Sequence, residues 1–261
     1  MATALFHNII FGPVQSRRLG VSLGVNLLPA HGKWCNFDCI YCECGWNADH
    51  RDDRRLPARE QVREALQEKL QAMQRGGSLP DAITFSGNGE PTLHPQFPEI
   101  IDDVMVLRSQ FAPQTKICVL SNATGLGNEA VFRALQKADK PILKIDSAVE
   151  SSAKLINQPQ GSYDTSRVAA QMQRFDGKFT LQTLFLRGAC DGKNFDNSTP
   201  EEIAKWLEMV QLTHPREIML YTINRDTPAR TLQKLTREAL QAIAQKVAAI
   251  NTWGANVQIA G

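Results

Sequence analysis

The stretch CNFDCIYCECGW, residues 35–46, places Cys35, Cys39, Cys42 and Cys44 within ten positions of a 261-residue chain whose other cysteines are Cys118 and Cys190. Cys35, Cys39 and Cys42 have the spacing C-x3-C-x2-C. Three thiolates on one loop suit three irons of a cubane [4Fe–4S] cluster, leaving the fourth iron free for a small molecule. Structural zinc instead wants four closed ligands, usually as two C-x2-C pairs. A zinc site here would recruit Cys44, His31 or His50, and the chain has no second C-x2-C pair. A redox C-x-x-C reading of Cys39 and Cys42 leaves Cys35 unexplained. Packing as small buried hydrophobes is a weak account of so tight a group.

Outward from the cysteines, strands and helices alternate. The lead-in, residues 1–34, reads as extended through SLGVNLLPA. Residues 58–75 carry Val62, Leu66 and Leu70 at helical spacing, and Gly76 and Gly77 stop that helix. Strands are expected at AITF (82–85), KICVL (116–120), PILKI (141–145), FTLQTLFL (179–186) and REIMLYTI (216–223). Helices are expected at 97–110, 128–138, 164–174, 200–212 and 236–250, with Thr199 as N-cap and Pro200 in the first turn of the fifth of these six. This is an α/β pattern of about six β–α units, which calls for parallel strands joined by right-handed crossovers. Two architectures fit, an open doubly wound sheet and an incomplete β/α barrel. Both place chemistry where strands end and helices begin, and those ends here are polar: SGNGEP, SNATG, DS, RGACDG and TINRD. No linker or repeat divides the chain, so one domain over 1–261 is expected.

Composition is that of a folded protein, 43% hydrophobic and 21% charged. Net charge is +2, from 29 basic and 27 acidic residues. That balance gives no dedicated nucleic-acid or membrane surface. The N-terminus shows no secretory signal and no apolar run spans a bilayer, so a cytoplasmic protein is expected.

CNFDCIYC resembles the C-x3-C-x-Φ-C signature of the radical S-adenosylmethionine (SAM) superfamily, with Tyr41 at the aromatic position Φ. The resemblance implies a partial (β/α)6 barrel in which Cys35, Cys39 and Cys42 hold a [4Fe–4S] cluster. SAM would chelate the unique iron, and its reductive cleavage would give a 5′-deoxyadenosyl radical that abstracts a substrate hydrogen. Tyr41 would pack near the adenine. Residues 86–91, SGNGEP, resemble the family's Gly-Gly-Glu-Pro element, which contacts the SAM amino group; Gly87, Asn88, Gly89 and Glu90 are the candidates, with Asn88 standing where a glycine is usual. Ser121 and Asn122 are suited to hydrogen bonds with SAM, and also to turn and cap duty. Lys144 and Asp146 share one face of a strand, where two charges imply a polar cavity or an ion pair. Asp146 is read toward ribose or substrate and Lys144 toward a carboxylate or phosphate. Gln182, Arg187, Asn224, Arg225, Arg17 and Arg18 are further substrate candidates.

FGPVQSRRLGVSLG, GNGEPTLHP, LSNATG, INQP and YTINRDTPA together resemble the branch of the superfamily related to wyosine (tRNA guanosine) synthetases. The resemblance covers nearly the whole chain. Those synthetases carry a further cysteine set toward the N-terminus, whereas this chain has no cysteine before Cys35 and no strongly basic extension. A low-potential donor, reduced flavodoxin or ferredoxin, is implied. The substrate classes are a tRNA base or nucleoside, a protein partner if the chain is a glycyl-radical activase, or a small metabolite. The non-enzymatic rival is a zinc- or cluster-binding regulatory module. No membrane partner is expected.

Overall fold

In the computed structural model, residues 4–16, 19–50, 52–190 and 192–260 are described. Arg17 and Arg18 lie outside them. The chain begins with a hairpin of β1 (Ile10–Ser16) and β2 (Gly20–Val25), whose strands pair antiparallel. Residues 26–58 follow, carrying the cysteines, and lead to α1 (Arg59–Arg75). Strand and helix then alternate: β3 (Ala82–Phe85), α2 (Phe97–Phe111), β4 (Lys116–Ser121), α3 (Glu129–Lys137) and β5 (Lys140–Lys144). Two helices, α4 (Glu150–Asn157) and α5 (Thr165–Gln173), precede β6 (Thr180–Leu184). The remaining elements are β7 (Leu186–Cys190), β8 (Lys193–Asp196), α6 (Pro200–Thr213), β9 (Glu217–Tyr221), β10 (Gln233–Lys234), α7 (Arg237–Ile250) and β11 (Asn256–Ala260).

The main sheet has the order β1-β2-β3-β4-β5-β6-β9-β11, and every pair after the first is parallel. Parallel strands covered on both faces read as continuous apolar runs, and AITF and TLQTL are buried at every position. Helices cover the outer face with their apolar stripes. Val62, Leu66 and Leu70 of α1 are buried as the spacing requires, and α6 starts as expected, with Thr199 Oγ1 accepting from the Glu202 N–H. The sheet curls, because Val14 to Ser16 of its first strand and Ala260 of its last line one shared cavity. The α/β partial barrel read from the sequence is the architecture found.

Three elements differ from the sequence reading. Residues 179–186 do not form one strand. Thr180–Leu184 stays in the barrel, while Leu186–Cys190 leaves it to pair antiparallel with β8 and β10 in a second, three-stranded sheet. The break is held by buried Asn197, which donates to the Leu184 carbonyl (2.8 Å) and the Asp146 carbonyl (2.7 Å) and accepts from the Leu186 N–H (2.8 Å). A single side chain thus replaces the ladder that both segments lose. Helix α4 is short and polar, so its period is weak in the sequence. Strand β11 is a seventh parallel strand beyond the six expected; its five residues follow a turn at Gly254 and carry little pattern alone.

Candidate functional site

The cysteine loop is docked from two sides. On one side, the Trp34 N–H donates to the Asn88 carbonyl (2.9 Å) and the Glu90 N–H to the Trp34 carbonyl (3.0 Å). This approach needs Gly89, which sits at φ +136°, where a Cβ would come within 2.0 Å of the Trp34 oxygen. On the other side, the N–H groups of Asp38 and Ile40 donate to the carbonyls of Asn157 and Ile156 (3.0 Å each), at the end of α4. Phe37 packs edge-on against Tyr163, ring centroids 5.0 Å apart.

So held, Cys35, Cys39 and Cys42 face a cavity of about 520 Å3 at the carboxyl ends of the strands. All three are free thiols. Each sulfur has different neighbours. Cys35 accepts from the Phe37 N–H (3.4 Å), and the Asn122 amide reaches it at 4.0 Å. Cys39 accepts from the Asn157 amide (3.4 Å). Cys42 has the Cys44 thiol and the buried Lys33 ammonium as neighbours that favour its thiolate. Burial pushes the Cys35 thiol well up and the Cys39 thiol up to about 11. Cys42 is lowered to about 6, first by the Cys44 hydrogen bond and then, against burial, by Lys33. The neighbouring Cys42 sulfur, and then burial, hold the Cys44 proton on well above the ordinary thiol range. Cys44 itself is buried, turned toward the Ala4 and Gly87 carbonyls. Cys118 packs inside β4, and Cys190 packs near Ile40 and Tyr41. The ring of His31 stands against His7, centroids 4.9 Å apart.

Gly89, Glu90, Ser121 and Asn122 line the cavity beside the thiols. Glu90 is fully engaged. Its Oε1 accepts from Thr92 Oγ1 (2.6 Å), Ser121 Oγ (2.9 Å) and the Thr92 N–H (3.1 Å), and its Oε2 from the Asn122 N–H (2.7 Å). Burial raises its pKa, and these four donors work against the rise. Gly87 and Asn88 do not line the cavity. Gly87 packs against the Asn26 side chain, and Asn88 spends its amide on the lead-in: Nδ2 donates to the Phe6 and Pro29 carbonyls (2.9 and 2.7 Å), and Oδ1 accepts from the Phe6 N–H (2.8 Å).

Tyr41 lies on the cavity wall with its hydroxyl donating to Asp146. Asp146 is buried behind it, apart from the cavity lining, and is fully occupied. It accepts from the Leu184 N–H (3.0 Å) and the Asn157 amide (2.7 Å), and Lys144 Nζ lies 3.4 Å away. Lys144 does face the cavity. It donates to Tyr221 Oη (2.8 Å) and sits 4.2 Å above the Tyr41 ring. Although burial opposes its charge, Asp146 and Tyr221 hold its pKa above the ordinary lysine value. Gln182 is paired with Lys144 across β5 and β6 and faces the same space. It is 6% exposed, and among the described residues its side-chain amide has no hydrogen bond. Asn224 and Arg225 line the mouth, where Arg225 pairs with Glu43 (2.6 Å). Arg187 is exposed on β7 and does not line the cavity.

Lys33, Glu43, Asn157 and Tyr221 are site residues that the sequence reading passed over. Lys33 and Glu43 are ordinary charges beside the motif. Asn157 and Tyr221 reach it from 118 and 77 residues away, from Cys39 and Lys144 respectively, and nothing local marks them.

The Radical SAM superfamily profile matches residues 30–191, which include the cysteine loop and the Gly89–Glu90 turn. The UPF0026 protein slr1464 of Synechocystis is 31% identical over 86% of this chain and 78% of its own length. A GTPase Obg of Brachyspira hyodysenteriae is 28% identical over 89% of this chain, which spans 32% of that protein. Among solved structures, a radical SAM methyltransferase from Sphaerobacter thermophilus superposes with TM-score 0.68 at 14% identity, covering 92% of this chain and 65% of that one. Archaeal TYW1 superposes with TM-score 0.53 at 13% identity, covering 88% and 72%. The latter two likenesses are of fold. Among the described residues no helix is long and apolar enough to cross a membrane. With the profile running through the thiol loop and its glycine dock, the chain belongs to the radical SAM superfamily, whose enzymes use a [4Fe–4S] cluster and SAM.

Proposed function

We propose that this chain holds one [4Fe–4S] cluster through Cys35, Cys39 and Cys42, binds SAM along Gly89–Glu90 and Ser121–Asn122, and acts on a nucleoside or tRNA base. The donor set fits the cluster: three free thiols face one cavity, and Cys35 and Cys39 are already met by N–H donors. When bound, the cluster and SAM supply one-electron reductive cleavage and hydrogen-atom abstraction. The protein's own work is placement. Gly89 lets the backbone come close. Glu90 fixes the turn by tying Thr92, Ser121 and the Asn122 N–H together, and contributes negative charge toward an ammonium. Asp146 orients Tyr41 and Lys144 from behind. A reduced flavodoxin or ferredoxin serves as electron donor.

One observation carries the substrate reading. Gln182 lines the cavity with no side-chain hydrogen bond to the described residues, so its donor and acceptor are open to a ligand beside the Lys144 ammonium. A ligand edge that pairs with this amide gains hydrogen bonds worth about 0.5–1.5 kcal/mol each. A planar edge that both donates and accepts, with an oxygen for Lys144, is what a nucleobase offers. The test is anaerobic incubation of reconstituted protein with SAM and dithionite, adding unmodified tRNA and nucleosides, a protein pool or a metabolite pool in turn. Deoxyadenosine formation that depends on the nucleic-acid pool and weakens in Gln182→Leu is expected. Dependence on the protein or metabolite pool alone overturns the substrate reading, and a single zinc in place of about four irons per chain overturns the cluster.

A further inference from the structure

Lys33 is a charge with no evident reason to be inside. Its side chain is 1% exposed, and it lies two residues before Cys35. Its ammonium donates to Asp38 Oδ1 (3.1 Å) and to the Gly45 carbonyl (2.6 Å), and Gly45 donates its N–H to the Cys42 carbonyl (2.9 Å), so the charge is enclosed by the cysteine loop. Asp38 is in turn fixed by the Asn47 N–H (2.8 Å). The ammonium is also near enough to Cys35 and Cys39 for its charge to act on both. A structural ion pair would not need to sit among three thiols, and a buried pair is costly enough that packing alone rarely favours it.

The three sulfurs are unequal in this respect. Cys35 and Cys39 accept from neutral amides, whereas Cys42 is the thiol on which the buried Lys33 charge acts most. The other lysine near the thiols, half-buried Lys144, acts by charge on Cys39 but donates to Tyr221 and faces Asp146, with no hydrogen bond to a sulfur. Hydrogen bonds to the sulfurs and local net charge set an iron–sulfur cluster's reduction potential. A cation buried beside the ligand sulfurs favours the more negative, reduced state.

We propose that Lys33 is a positioning residue that acts through Cys42, raising the midpoint potential of the cluster so that a physiological donor can reduce it. Asp38 opposes this effect by partly neutralising the ammonium. The proposal rests on the cluster reading above.

The experiment is an anaerobic redox titration, followed by electron paramagnetic resonance, of the reconstituted full chain, with iron counted and thermal unfolding recorded for each variant. Lys33→Met is expected to move the midpoint down, Lys33→Arg to restore part of it, and Asp38→Asn to move it up. Asp38→Asn keeps the oxygen that accepts from Asn47, so it retains the loop. Wild-type and Lys33→Met proteins with equal midpoints and full iron overturn the role of Lys33. If Lys33→Met fails to fold or load iron, Asp38→Asn decides: no shift, or a downward one, overturns the proposal. Wild-type protein that holds no cluster defeats the earlier reading instead, before Lys33 is tested.

Discussion

At the residue scale, the four thiols have distinct chemistry despite their proximity. Cys44 is turned from the cavity toward the Ala4 and Gly87 carbonyls, so replacing it should spare the cluster. Cys44→Ala is expected to retain about four irons per chain after anaerobic reconstitution, while Cys35→Ala, Cys39→Ala and Cys42→Ala each lose them. Cluster-free protein should show the same inequality with pH. An ordinary thiol titrates at 9.0, and Cys42 in the folded protein near 6. The folded thiolate therefore exists above pH 6, and its contribution to stability grows between pH 6 and 9 and vanishes below 6. Iodoacetamide followed by peptide mass spectrometry should label Cys42 with a midpoint near pH 6, leaving Cys39, at about 11, unlabelled at neutral pH. The cysteines, Tyr41 and Glu90 were legible in the sequence because each sits in a contiguous motif. Lys33 was not, since a lysine beside such a loop is usually solvated and only the three-dimensional structure shows it buried. Asp146 was legible as a charge facing inward, but the sequence does not say that Tyr41 and Asn157 stand between it and the cavity.

At the scale of elements, the site depends on two docks that hold an irregular loop. Gly89→Ala drives a methyl group into the Trp34 carbonyl in a backbone conformation that alanine avoids. It should cost about 2 kcal/mol or more. In a chain of this size that lowers Tm by about 4–8 °C, and cluster loading should fall with it. Asn197→Ala orphans two buried carbonyls and one N–H where β6 gives way to β7, each worth about 1–3 kcal/mol. A fall in the urea midpoint, together with loss of the cavity wall at Leu184, is expected. The sequence showed the long amphipathic helices and the apolar strands well, because period and caps agree in them. It missed the split at Phe185, where apolar residues run unbroken through two strands of different sheets and one distant asparagine determines the boundary.

At the scale of the whole molecule, the first and last strands of the main sheet face each other across the cavity instead of pairing, which leaves an opening at the side. Gln182, Lys144 and Tyr41 line the wall, and Arg225 and Glu43 the mouth. Since SAM would bind the folded, cluster-loaded chain and not the unfolded one, SAM at 100 times its dissociation constant should stabilise it by about 2.7 kcal/mol. A rise in Tm seen only in reconstituted protein, and absent from Cys42→Ala, is the expected result in anaerobic scanning fluorimetry. The barrel as a whole was legible from alternation, but its closing strand β11 was not, because five residues gain their identity from the neighbour they pair with. The exposed indole of Trp34, adjoining Cys35, gives the protein a built-in optical reporter. Iron–sulfur clusters absorb broadly where tryptophan emits, so light from Trp34 should dim as iron enters and return on chelation. Trp34→Phe would remove that share of the signal and leave the emission of Trp46, Trp206 and Trp253 as the background.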